Sequence, residues 1–69
     1  MLRLTQLRQD RQWTKTELGR RARVQLSRIS VIESRRLIPY EKELRRLARA
    51  LGWRGDPAAL LDDVEGGDG

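Results

Sequence analysis

The sequence predicts an all-α domain of five helices joined by short turns. Apolar residues recur three and four positions apart in several segments, and capping or turn residues separate those segments. No segment shows the strict alternation that is typical of a half-buried strand. The chain has 69 residues, enough for one domain, and a core of this size needs well-packed helices or dimerisation for stability.

The first two helices are predicted from their inward positions and one capping signal. Helix 1 is expected over residues 2–11 and helix 2 over residues 15–22. Thr14 and Glu17 match the capping box, in which a threonine caps the helix and a glutamate three residues later bonds back to it. The residues expected to face the core are Leu4, Leu7, Leu18 and Ala22.

Helix 3 is predicted over residues 26–34, with Ile29 and Ile32 facing the core. Val24 is expected to fill the turn before it, and Pro39 closes the loop that follows. The outward positions are small or charged, and they include Ser27, Arg28 and Ser30. A helix with an apolar inner face and a short polar outer face, in an arginine-rich chain, suits the major groove of DNA.

Helix 4 is predicted over residues 41–51 by the clearest amphipathic pattern in the chain. Positions i, i+3, i+4 and i+7 carry Leu44, Leu47, Ala48 and Leu51. Glu41 and Glu43 at its beginning and Arg49 near its end complement the helix dipole. Gly52 is the expected stop. Tyr40 stands at the cap position, where it could equally contact DNA backbone or a dimer partner.

A short fifth helix should begin with Asp56 as its cap and Pro57 in its first position. Its apolar residues are Leu60 and Leu61. The segment 62–69 that follows is rich in acid and glycine, so we expect a flexible tail there. The folded domain is accordingly predicted to span residues 1–61.

Charge is unevenly divided along the chain, whose formal net charge is +5. All 15 lysines and arginines lie at or before Arg54, together with half of the 10 acids, and the other acids follow Gly55. A basic body of this kind implies a polyanionic partner. We favour double-stranded DNA over a membrane, because no segment has the long apolar face of an interfacial helix.

Several classes of function lack the residues that they require. The chain has no cysteine and no histidine, so we expect no metal site and no cofactor. An enzyme is not expected, because no carboxylate pair leaves room for a substrate and no Gly-rich loop could cradle phosphate. The apolar runs are too short for a signal peptide or a membrane span, and a cytoplasmic, nucleoid-associated protein is expected.

A combination of spaced residues identifies a family. The residues are Leu7-Arg8, Glu17-Leu18-Gly19, Ile29, Ile32-Glu33, Pro39 and Leu47-Ala48-Arg49-Ala50-Leu51-Gly52. Together they resemble the lambda-repressor/Cro-like (XRE-like) helix-turn-helix family of prokaryotic and phage regulators, over residues 4–61. The resemblance implies a five-helix lambda-repressor-like DNA-binding domain in which helices 2 and 3 form the helix-turn-helix.

The resemblance also implies which residues contact DNA. The expected base contacts are Gln25, Leu26, Ser27, Arg28 and Val31. The expected backbone contacts are Thr14, Lys15, Thr16, Arg23, Ser30, Arg35 and Arg36. Arg28 could bind both acceptors of guanine, or it could contact phosphate or stay solvated. Gln25 could instead cap helix 3, and Leu26 and Val31 could meet a thymine methyl or pack within a core or dimer.

The chain departs from the family at two turns, where many members have glycine in a left-handed conformation. Arg23 stands before helix 3 and Arg35 after it. A non-glycine residue in that conformation costs roughly 1–2 kcal/mol. Our hypothesis is that the two arginines offset this cost by binding phosphate at either end of helix 3. The alternative is that the turns adopt another conformation.

Several other residues are expected to be structural. The resemblance implies a partly buried salt bridge between Arg8 and Glu33, joining helix 1 to the end of helix 3. Trp13 and Trp53 are predicted to fill the edge of the core rather than stack on bases. Family members often dimerise through the region after helix 4, although closure of the monomer core would explain the same residues. The candidate dimer residues are Trp53, Leu60 and Leu61.

Two functions of different classes are open. The first is a sequence-specific transcriptional regulator, by resemblance a repressor, that binds a pseudo-palindromic operator as a homodimer. The second is a protein-interaction module, such as an antitoxin or adaptor. The acidic tail favours the second, because it could compete with DNA or dock onto a basic partner, although it could also simply aid solubility.

Overall fold

The computed structural model describes residues 1–64, and the helices occupy most of that range. The α-helices are α1 (Arg3–Asp10), α2 (Lys15–Ala22), α3 (Leu26–Glu33) and α4 (Glu41–Leu51), and a 3-10 helix follows at Pro57–Leu61. Within the described range the extended pairing is limited to one isolated bridge between Leu2 and Asp63. The all-α prediction is confirmed.

The fifth predicted helix is a 3-10 helix, so the described residues contain four α-helices and not five. Asp56 caps it as expected, because its carboxylate accepts a hydrogen bond of 3.0 Å from the backbone N–H of Ala58. Pro57 supplies no N–H, and a segment of five residues closes few bonds between residues four apart. The tighter 3-10 pattern is common in such short pieces.

The core is formed by apolar side chains from every helix. Those with less than 2% of their surface exposed are Leu4, Leu18, Ile29, Ile32, Leu47, Leu51 and Leu60. The residues predicted to face inward in α1 to α4 therefore lie in the core or pack against it. Trp13 and Trp53 pack against its edge and are half-buried, as are Leu7 and Leu61.

Side-chain caps and left-handed residues set the helix ends. Thr14 accepts a hydrogen bond of 3.0 Å from the backbone N–H of Glu17 at the start of α2. Glu17 instead directs its carboxylate to Arg20 and Arg21, so only half of the predicted capping box forms. Gly52 ends α4 with a φ of 68°, as its position in the sequence predicts.

The turn between α2 and α3 brings the two helices very close together. A Cβ atom added to Gly19 would lie 2.5 Å from the backbone oxygen of Val24, well inside van der Waals contact. Val24 is buried, and its N–H donates to the carbonyl of Gly19 over 2.9 Å. A side chain at position 19 would therefore push the entry of α3 away from α2.

The two ends of the described chain are hydrogen-bonded to each other. The N–H of Arg3 donates to the carbonyl of Asp62 over 2.8 Å, and that of Val64 donates to Met1 over 2.7 Å. Residues 62–64, which the sequence assigned to a flexible tail, thus lie against the beginning of α1. The rest of that predicted tail, 65–69, lies outside the described residues.

Among residues 1–64, no helix combines the length and the apolar character that crossing a membrane requires.

Candidate nucleic-acid interface

The outer face of α3 is made of short side chains. Ile29 and Ile32 are buried and mark the inner face of α3. Because successive residues are rotated by 100° around the helix axis, the opposite face carries the two residues between these isoleucines and the residues one turn before and after them. This face presents Ser27, Ser30, Val31 and the C-cap residue Ser34, each exposed or half-exposed. No bulky side chain would keep the helix backbone away from the floor of a groove. Ser34 was not among the predicted contacts.

The first turn of α3 is open to solvent. Gln25 is the N-cap residue, but its side chain makes no capping hydrogen bond, so the capping role considered for this side chain is not observed. Leu26 is 48% exposed, which excludes the core as its environment. Gln25 and Leu26 line one shallow cleft between α2 and α3 together with Thr16 and Arg23. Residues predicted to contact bases and residues predicted to contact the DNA backbone therefore line the same cleft.

Arg28 is held by residues from the beginning of α4. Its Nη2 donates to Oε1 of Glu43 over 2.7 Å, and its Nε donates to Oε2 of the same carboxylate. Its guanidinium also lies 5.4 Å from the centre of the Tyr40 ring. The hydrogen bonds from Arg28 are the main cause that lowers the pKa of Glu43, and they raise the pKa of Arg28 in turn.

This arrangement was not predicted from the sequence. Glu43 was assigned only to the helix dipole, and Tyr40 was left without a partner. Arg28 is not a free solvated side chain, since it is paired with Glu43 and only 33% exposed. The two partners are 15 residues apart, and only the packing of α4 against the helix pair brings them together.

The candidate backbone residues fall into two groups. Thr14, Lys15 and Thr16 lie at the first turn of α2, where unpaired N–H groups and the helix dipole favour an anion. Arg23 and Arg36 are exposed and form no ion pair within residues 1–64. Arg23 and Arg36 flank α3 in the chain, and Thr16 lines the cleft beside the first turn of α3.

Arg35 is different, because an acid already neutralises it. The carboxylate of Asp63 binds Arg35 and also accepts a hydrogen bond of 2.9 Å from the amino group of Met1. The amino group and then Arg35 lower the pKa of Asp63. Within the described residues, Arg35 is thus engaged by the acidic segment that the sequence placed after the domain.

Both turns adopt the strained conformation expected from the missing glycines. Arg23 has a φ of 58° and Arg35 a φ of 66°, and Gln12 joins them at 59°. The alternative, in which these turns avoid the left-handed region, is therefore excluded. Each of these residues carries a conformational cost of roughly 1–2 kcal/mol.

A buried ion pair fixes the other end of α3. Nε of Arg8 lies 2.8 Å from Oε2 of Glu33, and Nη2 lies 3.1 Å from Oε1. Nη1 of Arg8 donates to the carbonyl of Trp13 over 2.8 Å. The two side chains are only 11% and 5% exposed, so this pair holds α1, α3 and the start of the helix-turn-helix together.

A second basic cleft lies between α2 and α4, and Arg23 is the one predicted contact that lines it. Arg21, Arg23, Arg46 and Arg49 line it. Arg21 is partly occupied, because it pairs with Glu17 and lies 4.4 Å from the centre of the Trp13 ring. Hydrogen bonds from Arg20 and then Arg21 lower the pKa of Glu17.

The candidate dimer residues are not equivalent. Leu60 is fully buried in the monomer core, so it cannot present a surface to a partner without partial unfolding. Leu61 and Trp53 are half-buried and keep some surface. Trp53 is fixed by a hydrogen bond of 3.0 Å from Nε1 to the carbonyl of Asp56, and Arg3 lies 5.1 Å from its ring centre.

Comparison with known proteins places the chain in a family. A family model described as a helix-turn-helix domain matches residues 2–61. The match confirms the resemblance found from the spaced residues. No curated protein and no solved structure matches the chain.

Proposed function

Because the chain belongs to the helix-turn-helix domain family, of the lambda-repressor/Cro-like type, we propose that it is a sequence-specific transcriptional regulator that represses by binding DNA. The observation that carries the proposal is the face of α3 formed by Ser27, Ser30, Val31 and Ser34. Short side chains on an otherwise anchored helix allow close approach to base edges in the major groove.

Base recognition is assigned to the beginning and outer face of α3. Ser27 can donate to or accept from a base edge, and Arg28 suits guanine. Leu26 and Val31 keep exposed apolar surface that fits the methyl group of thymine. Gln25, whose side chain is not used in capping, suits adenine.

Phosphate contacts flank this face and set its register. Thr14, Lys15 and Thr16 would bind one phosphate at the first turn of α2. The remaining backbone contacts are assigned to Arg23, Ser30, Arg35 and Arg36. Phosphate binding by the two left-handed arginines would offset the strain of their turns. Arg35 must first exchange Asp63 for phosphate.

A homodimer is part of the proposal, since one module of this size buries too little surface for useful specificity. Two copies about 34 Å apart, one helical turn of DNA, would read a pseudo-palindromic operator. Trp53 and Leu61 remain the candidate contacts, because they keep surface that Leu60 does not.

Selection from random duplex DNA with the full chain tests this function, with oligomeric state measured alongside. We expect an enriched motif with two related half-sites and a protein dimer on the selected duplex. Recovery of unselected DNA, with equal affinity for all duplexes at a fixed salt concentration, would contradict the proposal.

A second function is supported by one contact, the binding of Arg35 by Asp63. An acidic segment that occupies a phosphate-binding arginine would compete with DNA, and it could pass to a basic protein partner. Asp63→Asn should then tighten DNA binding more than Asp56→Asn, which removes the same charge elsewhere. Equal effects of the two variants would leave only a general charge effect and exclude competition.

A further inference from the structure

The guanidinium of Arg28 has one edge engaged and one edge unused. Glu43 accepts hydrogen bonds from Nε and Nη2, and the Tyr40 ring lies against the guanidinium. An arginine has five N–H donors, so two on Nη1 and one on Nη2 remain. None of these three has a hydrogen-bond partner within residues 1–64, and the side chain is still 33% exposed.

The unused donors have the geometry of a base reader. When a carboxylate occupies the edge formed by Nε and Nη2, the edge formed by Nη1 and Nη2 is left as a planar pair of parallel donors. Guanine presents two neighbouring acceptors, O6 and N7, in the major groove, and a pair of arginine donors matches them. No acceptor pair of this kind is found on the other bases.

Resting on the proposed function, we propose that Glu43 and Tyr40 are positioning residues for base recognition, and that they hold Arg28 with its outer edge directed at a single guanine. Glu43 is itself fixed, because it is only 12% exposed and its Oε1 also accepts the backbone N–H of Tyr40 over 2.9 Å. The beginning of α4 thereby determines the specificity of α3.

The negative charge of Glu43 also separates two roles that the sequence left open for Arg28. A phosphate that approached Arg28 would approach the carboxylate as well, and the two anions repel each other. A guanine edge is uncharged and meets no such repulsion. The ion pair therefore favours guanine over phosphate as the partner of Arg28.

The test compares Glu43→Gln with Glu41→Gln. Glutamine at position 43 can still accept the N–H of Tyr40, so the start of α4 is preserved while the charge is lost. Glu41 lies in the same helical turn and pairs with exposed Arg45, so its variant reports the effect of charge alone. The readout is the affinity ratio between the selected duplex and duplexes with single base changes, at one salt concentration.

Glu43→Gln should lower the preference for guanine at one position by roughly 10-fold, because a bidentate pair of this type is lost or loosened. Glu41→Gln should keep that preference. Arg28→Lys, which retains the charge but lacks the planar donors, should lose it at the same position. Both charge-removing variants should bind unrelated DNA somewhat more tightly.

Two results would overturn the inference while leaving the proposed function intact. Unchanged guanine preference in Glu43→Gln would mean that Arg28 needs no positioning. A stronger preference would mean that Glu43 withholds Arg28 from DNA. If the unaltered chain selects no motif at all, the proposed function fails instead, and the two failures are thus distinguishable.

Discussion

The two sides of α3 carry ion pairs of the same chemistry in different surroundings. Arg8 binds Glu33 through Nε and Nη2, and Arg28 binds Glu43 through the same two atoms. The Arg8–Glu33 pair is 11% and 5% exposed, whereas the Arg28–Glu43 pair is 33% and 12% exposed. The difference indicates two roles: the Arg8–Glu33 pair holds α3 in place, and the Arg28–Glu43 pair serves base recognition.

Burial and the remaining donors explain that division. Nη1 of Arg8 donates to the carbonyl of Trp13, so the donors of this arginine are used in contacts within the protein. Removal of either partner leaves a buried charge unpaired, which is the costly event for such pairs. Arg28 keeps an unused edge and solvent access, and its loss leaves Glu43, at 12% exposure, still bound to the backbone N–H of Tyr40.

The largest expected effect is on stability and comes from the buried pair. Glu33→Ala should lower the free energy of unfolding by about 3–5 kcal/mol, since Arg8 loses its buried counter-charge. A core of this size supplies a comparable amount, so the variant should be largely unfolded at 25 °C. Circular dichroism during urea unfolding measures this free energy. A decrease of less than about 1 kcal/mol would contradict the stabilising role of the buried pair.

The next effect is on recognition and comes from the exposed pair. Arg28→Ala should keep the fold, with a melting temperature close to that of the unaltered chain, because its ion pair is partly solvated. It should lose roughly 10-fold in preference for one guanine. Thermal melting and duplex binding are measured on the same sample. Extensive unfolding of Arg28→Ala would show that the two pairs do the same work.

Lowering the pH should remove the stability that the Arg28–Glu43 pair contributes. The pKa of Glu43 is lowered in the folded state by Arg28, so its contribution to stability is present above the unfolded value, about 4.3. That contribution is lost as the pH falls through the lowered folded pKa. Between neutral pH and pH 2.5, the melting temperature of Glu43→Gln should therefore fall less steeply than that of the unaltered chain. Parallel profiles would show that the pair contributes nothing to folding.

The smallest effects concern the arginines at the two ends of α3. Arg23→Gly and Arg35→Gly both relieve a left-handed conformation, worth roughly 1–2 kcal/mol each. Arg23→Gly should stabilise more, because Arg35→Gly also loses the ion pair with Asp63. If each arginine binds phosphate, each variant should reduce the slope of log affinity against log salt by about 0.9. Unchanged slopes in both variants would disprove phosphate binding at these turns.

Local signals predicted the helices better than the contacts between them. The beginning of α2 follows from Thr14, whose hydroxyl caps a nearby backbone N–H, and the end of α4 follows from the left-handed Gly52. The fifth helix was predicted from its caps alone, which an α-helix and a 3-10 helix share, and the structure shows the 3-10 form. The pairing of Arg28 with Glu43 has no local signal, since it depends on how α4 packs against the helix-turn-helix. Arg8 and Glu33 were paired only through the family resemblance.

A double-mutant cycle of Arg28→Ala and Glu43→Gln, read as preference for guanine over other bases at the affected position, tests the central claim most directly. If Glu43 acts through Arg28, Glu43→Gln should lower the preference in the unaltered chain and have no effect once Arg28 is alanine. Equal effects in both backgrounds would show that Glu43 acts independently of Arg28, and the division of roles between the two ion pairs would be wrong.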